Sequence, residues 1–205
     1  MAIVSKVQIC NLALGVLGSA ENILNIDNPT NASEKIFALR YDLTRQKVLK
    51  LVKPNFSLKR DKWAKLTTTP SFGYSYSYAV SNDCLAVLGI GNIEEKRSDY
   101  AVEGGQLQTN QDAPEGLPVR YVRDITDVTK FTPEFVDLLA WHLAYDCCMS
   151  LTQSAEKLGY LTQIMPQNIS NASAMNAQEN RPIRISNSKF KAARYNRKPS
   201  FEEKL

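Results

Sequence analysis

Between Ser71 and Val80 the chain alternates strictly. Phe72, Tyr74, Tyr76, Tyr78 and Val80 take every second position, with serine and glycine largely between them. A period of two lines one side of an extended backbone and cannot line a helix, whose faces repeat every 3.6 residues. This stretch therefore reads as a half-buried strand or extended arm with an aromatic face.

Helical patterns stand on both sides of it. Ser5 is an N-cap for a first helix to about Gly18, with Val7, Ile9, Leu12, Ala13, Val16 and Leu17 as its apolar stripe. Glu21 to Thr30 is a loop, with turn chemistry at Asn25-Ile26-Asp27-Asn28-Pro29. Asn31 and Glu34 form a capping box opening a second helix. Its stripe is Phe37, Tyr41, Val48, Leu51 and Val52, widened by Ile36 and Leu43, and Pro54 stops it.

Composition shifts at Thr67-Thr68-Thr69-Pro70. After the alternating stretch, Cys84 to Ile90 reads as a more buried strand. Tyr100 to Glu103 and Gln106 to Thr109 make a hairpin around Gly104-Gly105, and Pro118 to Ile125 supplies another strand. Helical signals return with Thr132 as N-cap and Pro133 at the first helical position. Phe135, Leu138, Leu139, Leu143, Cys147 and Leu151 form the buried face. Gln153 or Ser154 starts a fourth helix, whose register through Leu158, Leu161, Met165, Ile169 and Ala172 runs straight across Pro166. A kinked continuous helix is expected there. The fold class is thus mainly α with a small antiparallel β insertion: helix pair, β insert, helix pair. Residues 1–66 and 126–180 form the helical bundle, 67–125 the inserted β subdomain, and 181–205 an extended C-terminal arm.

That arm dominates the charge. Arg181, Arg184, Lys189, Lys191, Arg194, Arg197, Lys198 and Lys204 face only Glu202 and Glu203, a net of +6 in a chain of net +4, which leaves −2 for residues 1–180. Phe190, Tyr195 and Phe201 punctuate it at wide spacing. Such a segment buries too little apolar surface to offset its own ordering entropy, so it orders against a partner or stays a solvated tail. Its charge would suit DNA phosphates or an acidic groove on a protein.

The chemistry-bearing residues form no recognisable catalytic motif. Gly89-Ile90-Gly91 lacks a third glycine, and no Walker-spaced lysine–serine pair follows. His142 and Asp146 are one helical turn apart and read as a helix-surface pair rather than an oriented base. Glu94-Glu95, Glu202-Glu203, Asp137 and Asp146 are the carboxylates that a hydrolase of the paired-carboxylate kind would need, and read as solvated surface. The tyrosines at 74, 76 and 78 could stack bases, yet residues 70–95 contain no lysine or arginine to accompany them. A packing or subunit-contact face is the expectation. Cys10, Cys84, Cys147 and Cys148 lack zinc or redox spacing and are expected to be free thiols, mostly buried, as in a reducing compartment. No metal or other cofactor is expected. Neither a membrane span nor a secretory start at Met1–Lys6 is evident.

The order of these pieces resembles the head-to-tail adaptor proteins of short-tailed bacteriophages, including the tail tubular protein A type. Four stretches carry the likeness. One is Ile9-Cys10-Asn11-Leu12-Ala13-Leu14 with Leu17-Gly18 and the loop after it. Another is Tyr41-Asp42 through Val48-Leu49, then Pro54-Asn55-Phe56-Ser57 and Lys59-Arg60. The third is Phe72-Gly73-Tyr74-Ser75-Tyr76 leading to Asp83-Cys84-Leu85. The last is Tyr121-Val122, Thr126-Asp127 and Phe131-Thr132-Pro133-Glu134-Phe135. The resemblance implies a non-enzymatic virion protein, assembled in the host cytoplasm. It would form a dodecameric ring beneath the portal, seat a downstream tail or nozzle protein, and leave a channel for genomic DNA. It further implies that Arg181, Arg184, Lys189, Phe190, Lys191, Arg194, Tyr195, Arg197, Lys198 and Phe201 contact the portal or a neighbouring subunit. Phe72, Tyr74, Tyr76 and Tyr78 would contact the tail or another subunit. The alternatives are a nucleic-acid-binding module using the arm, or a carboxylate-type cell-wall hydrolase.

Overall fold

The computed structural model describes residues 5–91 and 99–179. Four helices, α1 (Lys6–Val16), α2 (Ala32–Val52), α3 (Pro133–Thr152) and α4 (Ala155–Gln178), enclose one core. Six strands are inserted between α2 and α3: β1 (Leu58–Trp63), β2 (Tyr76–Ala79), β3 (Cys84–Ile90), β4 (Tyr100–Glu103), β5 (Gln106–Thr109) and β6 (Leu117–Arg123). The helix pair, β insertion, helix pair layout expected from the sequence is present.

Local capping explains where the helices begin. The Ser5 hydroxyl accepts the Gln8 amide at 3.1 Å, while the Gln8 side chain accepts the Ser5 amide at 2.8 Å. Asn31 and Glu34 make the same reciprocal box on α2. Glu34 does more: it is buried, and its carboxylate also accepts the amides of Thr30 at 2.7 Å and Leu24 at 3.1 Å. One side chain thereby fixes the loop back onto its helix. Asn11 grips the same loop from α1, accepting from the Ile23 amide at 2.7 Å and donating to its carbonyl at 3.0 Å. α3 starts at Pro133 as expected, although Thr132 makes no side-chain cap bond. α4 is continuous through Pro166, capped by Ser154.

α3 is the central helix, packed against the other three and buried on most of its surface. Phe56, Phe131 and Phe135 form an aromatic cluster where β1 and α3 meet, with ring centroids 4.9–5.7 Å apart. Two expected stripes are corrected. Leu12 is half exposed because α1 buries Cys10 and Leu14 instead. Leu43 and Leu51 are exposed on α2, where Thr44, Arg45 and Leu49 are buried.

The β insertion is two antiparallel three-stranded sheets, ordered β1-β6-β3 and β2-β5-β4. Strand β1 lies within the stretch expected to be helical bundle. Its sequence, Leu-Lys-Arg-Asp-Lys-Trp, is polar on both faces and shows no hydrophobic alternation. Only Tyr76–Ala79 of the alternating stretch is strand: Gly73 turns the chain at φ +86°, and the Ser75 amide donates to the Asn110 side chain. Gly104 and Gly105 both have positive φ, the conformation of a primed hairpin turn, and join β4 to β5 in the expected hairpin. A second core of Trp63, Tyr78, Ile90, Leu107, Leu117, Val119 and Tyr121 lies within the insertion. Val122 on the alternate face of β6 belongs to the helical core instead.

A buried guanidinium ties the two parts together. Arg45 of α2 is 2% exposed. It donates to Asp124 and to the Ile125 carbonyl at 2.7 Å, and pairs with Asp42 at 3.2 Å. Gln46 donates to the other Asp124 oxygen at 2.7 Å. Removing one partner of a buried pair strands the other, so Arg45→Ala should cost about 3 kcal/mol or more in urea unfolding. Asp42→Asn, at an exposed partner, should cost less than about 1 kcal/mol.

Glu34 gives a pH signature. The Thr30 amide first, then that of Leu24, holds its carboxyl down to about 2, against an ordinary 4.5. A carboxyl with a depressed folded value stabilises fully above the unfolded value and loses that contribution as pH falls through the folded one. The stability gap between the native protein and Glu34→Gln should therefore be widest above pH 4.5 and close toward pH 2, as read by denaturant titration at stepped pH.

Candidate assembly surfaces

The tyrosine face expected on residues 72–78 is divided by the fold. Tyr78 is fully buried; its hydroxyl donates to the Gln111 carbonyl and accepts the Ala113 amide, both at 2.9 Å. It is a core residue and cannot offer a contact surface. Tyr76 is half-buried beneath Lys65, whose ammonium stands 4.0 Å from the ring centroid and pairs with Asp112 at 2.6 Å. Tyr74 is half-buried, and Phe72 is 89% exposed beside the Gly73 turn. Of the four, Phe72 is the apolar side chain left fully open to a partner.

Sequence reasoning missed the larger feature, which is on α2. Its buried residues Phe37, Tyr41 and Val48 face α3 and the core. At 100° per residue, Leu39 and Leu43 fall on the opposite side, whereas Ile36 at its border still packs against the core. Leu39 is 72% and Leu43 60% exposed. Lys35, Arg40, Lys47 and Lys50 flank this aliphatic arc. The signal was present as apolar residues on two arcs of one helix, which a single widened stripe conceals.

The root of the C-terminal arm is well defined, although residues 181–205 and their ten expected contact side chains lie outside the described residues. Asn55, after α2, donates its amide to the Asn176 side chain at 2.8 Å and its own side-chain nitrogen to the Asn176 carbonyl at 3.0 Å. It also donates to Glu179 at 3.0 Å. The end of α4 is thus pinned to the junction of α2 and β1. A cavity of about 300 Å³ opens there, lined by Val52, Pro54, Phe56, Phe135, Ala172 and Met175 among others.

The residues weighed for catalysis do not assemble. His142 is not on the helix surface as expected: it is 5% exposed, and neither ring nitrogen has a hydrogen-bond partner. Asp146 turns toward α2, accepting from Thr44 at 2.8 Å and Lys47 at 3.2 Å. Asp137 is exposed, and Glu94, Glu95, Glu202 and Glu203 fall outside the described residues. All four cysteines are free, three of them buried. Desolvation pushes the Cys10 and Cys147 thiols up to about 12, so they carry no thiolate near neutral pH. Gly91 closes the β3 end at φ +74° against the Gln111 side chain. Among the described residues, no group of three or more metal-ligating side chains comes together, and no helix is long and apolar enough to cross a membrane.

No known protein-family model matches the chain, and no curated protein sequence matches it.

Burial, followed by the Lys47 charge, lowers the affinity of His142 for a proton. A histidine with a depressed folded value contributes stability above its unfolded value near 6.5 that is lost as pH falls below it. With both nitrogens unpartnered, His142→Leu should match the native protein within about 1 kcal/mol at pH 7.5. It should also flatten the stability profile between pH 6.5 and 5, measured by thermal unfolding in stepped buffers.

Proposed function

We propose that this chain is a structural head-to-tail adaptor of a tailed-phage virion, forming a ring under the portal that joins capsid to tail and lets DNA pass. What carries the reading is the aliphatic arc on α2. A lone domain gains nothing by setting Leu39 and Leu43 in water directly opposite its own core. A ring subunit needs such a surface, because each copy must bury a lateral face against a different face of the next. The basic flank suits an acidic neighbour and biases the contact against self-facing pairing.

The portal as partner comes from the resemblance in the order of the four sequence stretches. The arm adds a physical reason for it. The bonds between Asn55 and Asn176 fix the end of α4, and a basic segment docking beyond it would start from an anchored base. Docking then orders that segment alone and leaves the domain unchanged. The role is structural rather than enzymatic. The described carboxylates are engaged in capping and ion pairs or open to solvent, and the described histidine and three of the cysteines are buried.

Leu39→Glu/Leu43→Glu should keep the native melting profile, since both side chains are exposed, and should abolish self-association in light scattering with and without the portal protein. Loss of folding, or undiminished rings, would contradict the role given to α2. Deleting residues 181–205 should leave a folded protein that no longer sediments with the portal, with binding in the full chain weakening steeply as salt rises from 0.05 to ~0.3 M.

A further inference from the structure

We infer that the part of the β1-β6-β3 sheet left uncovered by the helices is a sequence-independent binding surface for nucleic-acid phosphates, built on Arg60, Arg120 and Lys62. Residues two apart along a strand share a face, so Leu58, Arg60 and Lys62 on β1 lie on the side of Val122, Arg120 and Pro118 on β6. Leu58 and Val122 pack into the helical core. Beyond them the cations begin. Arg60 stands directly opposite Arg120 in the ladder, and Lys62 follows two residues on.

The two faces of this sheet treat their charges differently. On the other face, Lys59 pairs with Asp61 at 2.9 Å and Arg123 with Asp83 at 3.0 Å. On the face at issue, no carboxylate among the described residues comes within the 4.0 Å ion-pair distance of Arg60, Lys62 or Arg120. Like charges opposite one another across a ladder are destabilising. Guarding an edge strand accounts for charges on β1, but Arg120 is on the central strand, where no edge needs guarding.

Space for a ligand is present above the pair. On β3 the residue opposite Arg120 is Gly89, and a Cβ placed there would meet nothing within 4 Å. A cleft of about 370 Å³ is lined by Asn55, Leu58, Arg60, Arg120 and Glu179. Glu179 accepts from Asn55, and against two guanidiniums it leaves the cleft positive. Guanidinium forks match phosphate oxygens bidentately, and an extended row of cations of one sign suits a backbone of repeating anions. An acidic protein segment would call for apolar anchors around the charges, and this strip offers glycine, proline and one leucine. The three cations belong to the sheet, although Glu179 at the end of α4 forms one wall of the cleft, and the proposal does not depend on the adaptor reading.

The test is fluorescence anisotropy of a labelled 30-nucleotide single strand and a 30-base-pair duplex with the full chain, across 50–250 mM salt. Arg60→Gln/Arg120→Gln should make the log–log salt dependence shallower by about 2, and Lys62→Gln by about 1. Arg60→Lys/Arg120→Lys should retain the native slope with weaker binding. Lys6→Gln/Lys130→Gln, which removes the same charge from the helical end, should leave the slope as it is. Circular dichroism checks folding of each variant, and Lys62→Gln, at an exposed edge, keeps the test alive if the double arginine variant unfolds. Equal slopes for the native and arginine variants would overturn the assignment. So would an equal loss from Lys6→Gln/Lys130→Gln. Competition by polyglutamate as strong as by an unlabelled oligonucleotide would overturn it in favour of an acidic protein partner.

Discussion

The burial of the Arg45 guanidinium is the constraint on which the arrangement of the whole molecule rests. An inserted unit must leave a helical bundle and return to it without prising the helices apart. Here the chain leaves at Pro54, just past α2, and comes back through Asp124 and Ile125, which Arg45 and Gln46 of α2 hold. Asp124 also donates its amide to the Asp83 carbonyl at 2.7 Å, so the start of β3 joins the same knot. A charge taken from water is tolerated only where its donors are met, and here the Asp124 carboxylate and the Ile125 carbonyl accept from Nη1 while Asp42 accepts from Nε and Nη2. α3, which follows within ten residues, is then placed with little freedom left.

The parts of this fold that were legible in the sequence are those decided within a few residues. The Ser5 N-cap, the Asn31–Glu34 capping box, the Gly104-Gly105 turn, the Pro133 start and the continuity of α4 across Pro166 are written locally. β1 was not legible, because an edge strand that is polar on both faces carries no alternation to find. Arg45 was not legible either: its partners are 79 and 80 residues away, and an arginine within a helix ordinarily reads as solvent-facing. His142 misled for the same reason. Beside Trp141 and one turn from Asp146 it suggested a surface pair, while the centrality of α3, which buries nearly every side it has, is a property of three other helices.

Assembly surfaces follow a similar rule. The basic C-terminal segment was visible as a run of charge, whereas the pinning of the end of α4 by Asn55, 121 residues away from Asn176, was not. The aromatic ladder misassigned Tyr78 because alternation states that a face exists without stating what covers it. The Ala64–Leu66 segment runs alongside β2, exchanging bonds with Ser77 and Ala79, and β5 pairs on its other side. What buries Tyr78 is the insertion's own core on that face of the strand.

The uncovered features differ in chemistry, and the separation itself constrains how they can be used. An aliphatic arc belongs to one helix, a cationic strip to one sheet face, and a single open phenylalanine to a turn between strands. Segregation preserves contacts of different strength and salt response in one molecule. An aliphatic contact is insensitive to ionic strength, whereas a phosphate contact weakens steeply with it. Under the proposed reading, subunits would hold one another under conditions in which a nucleic-acid strand on the sheet is released. The sheet's covered end is part of the helical core through Leu58 and Val122, so the cationic strip begins where that core ends.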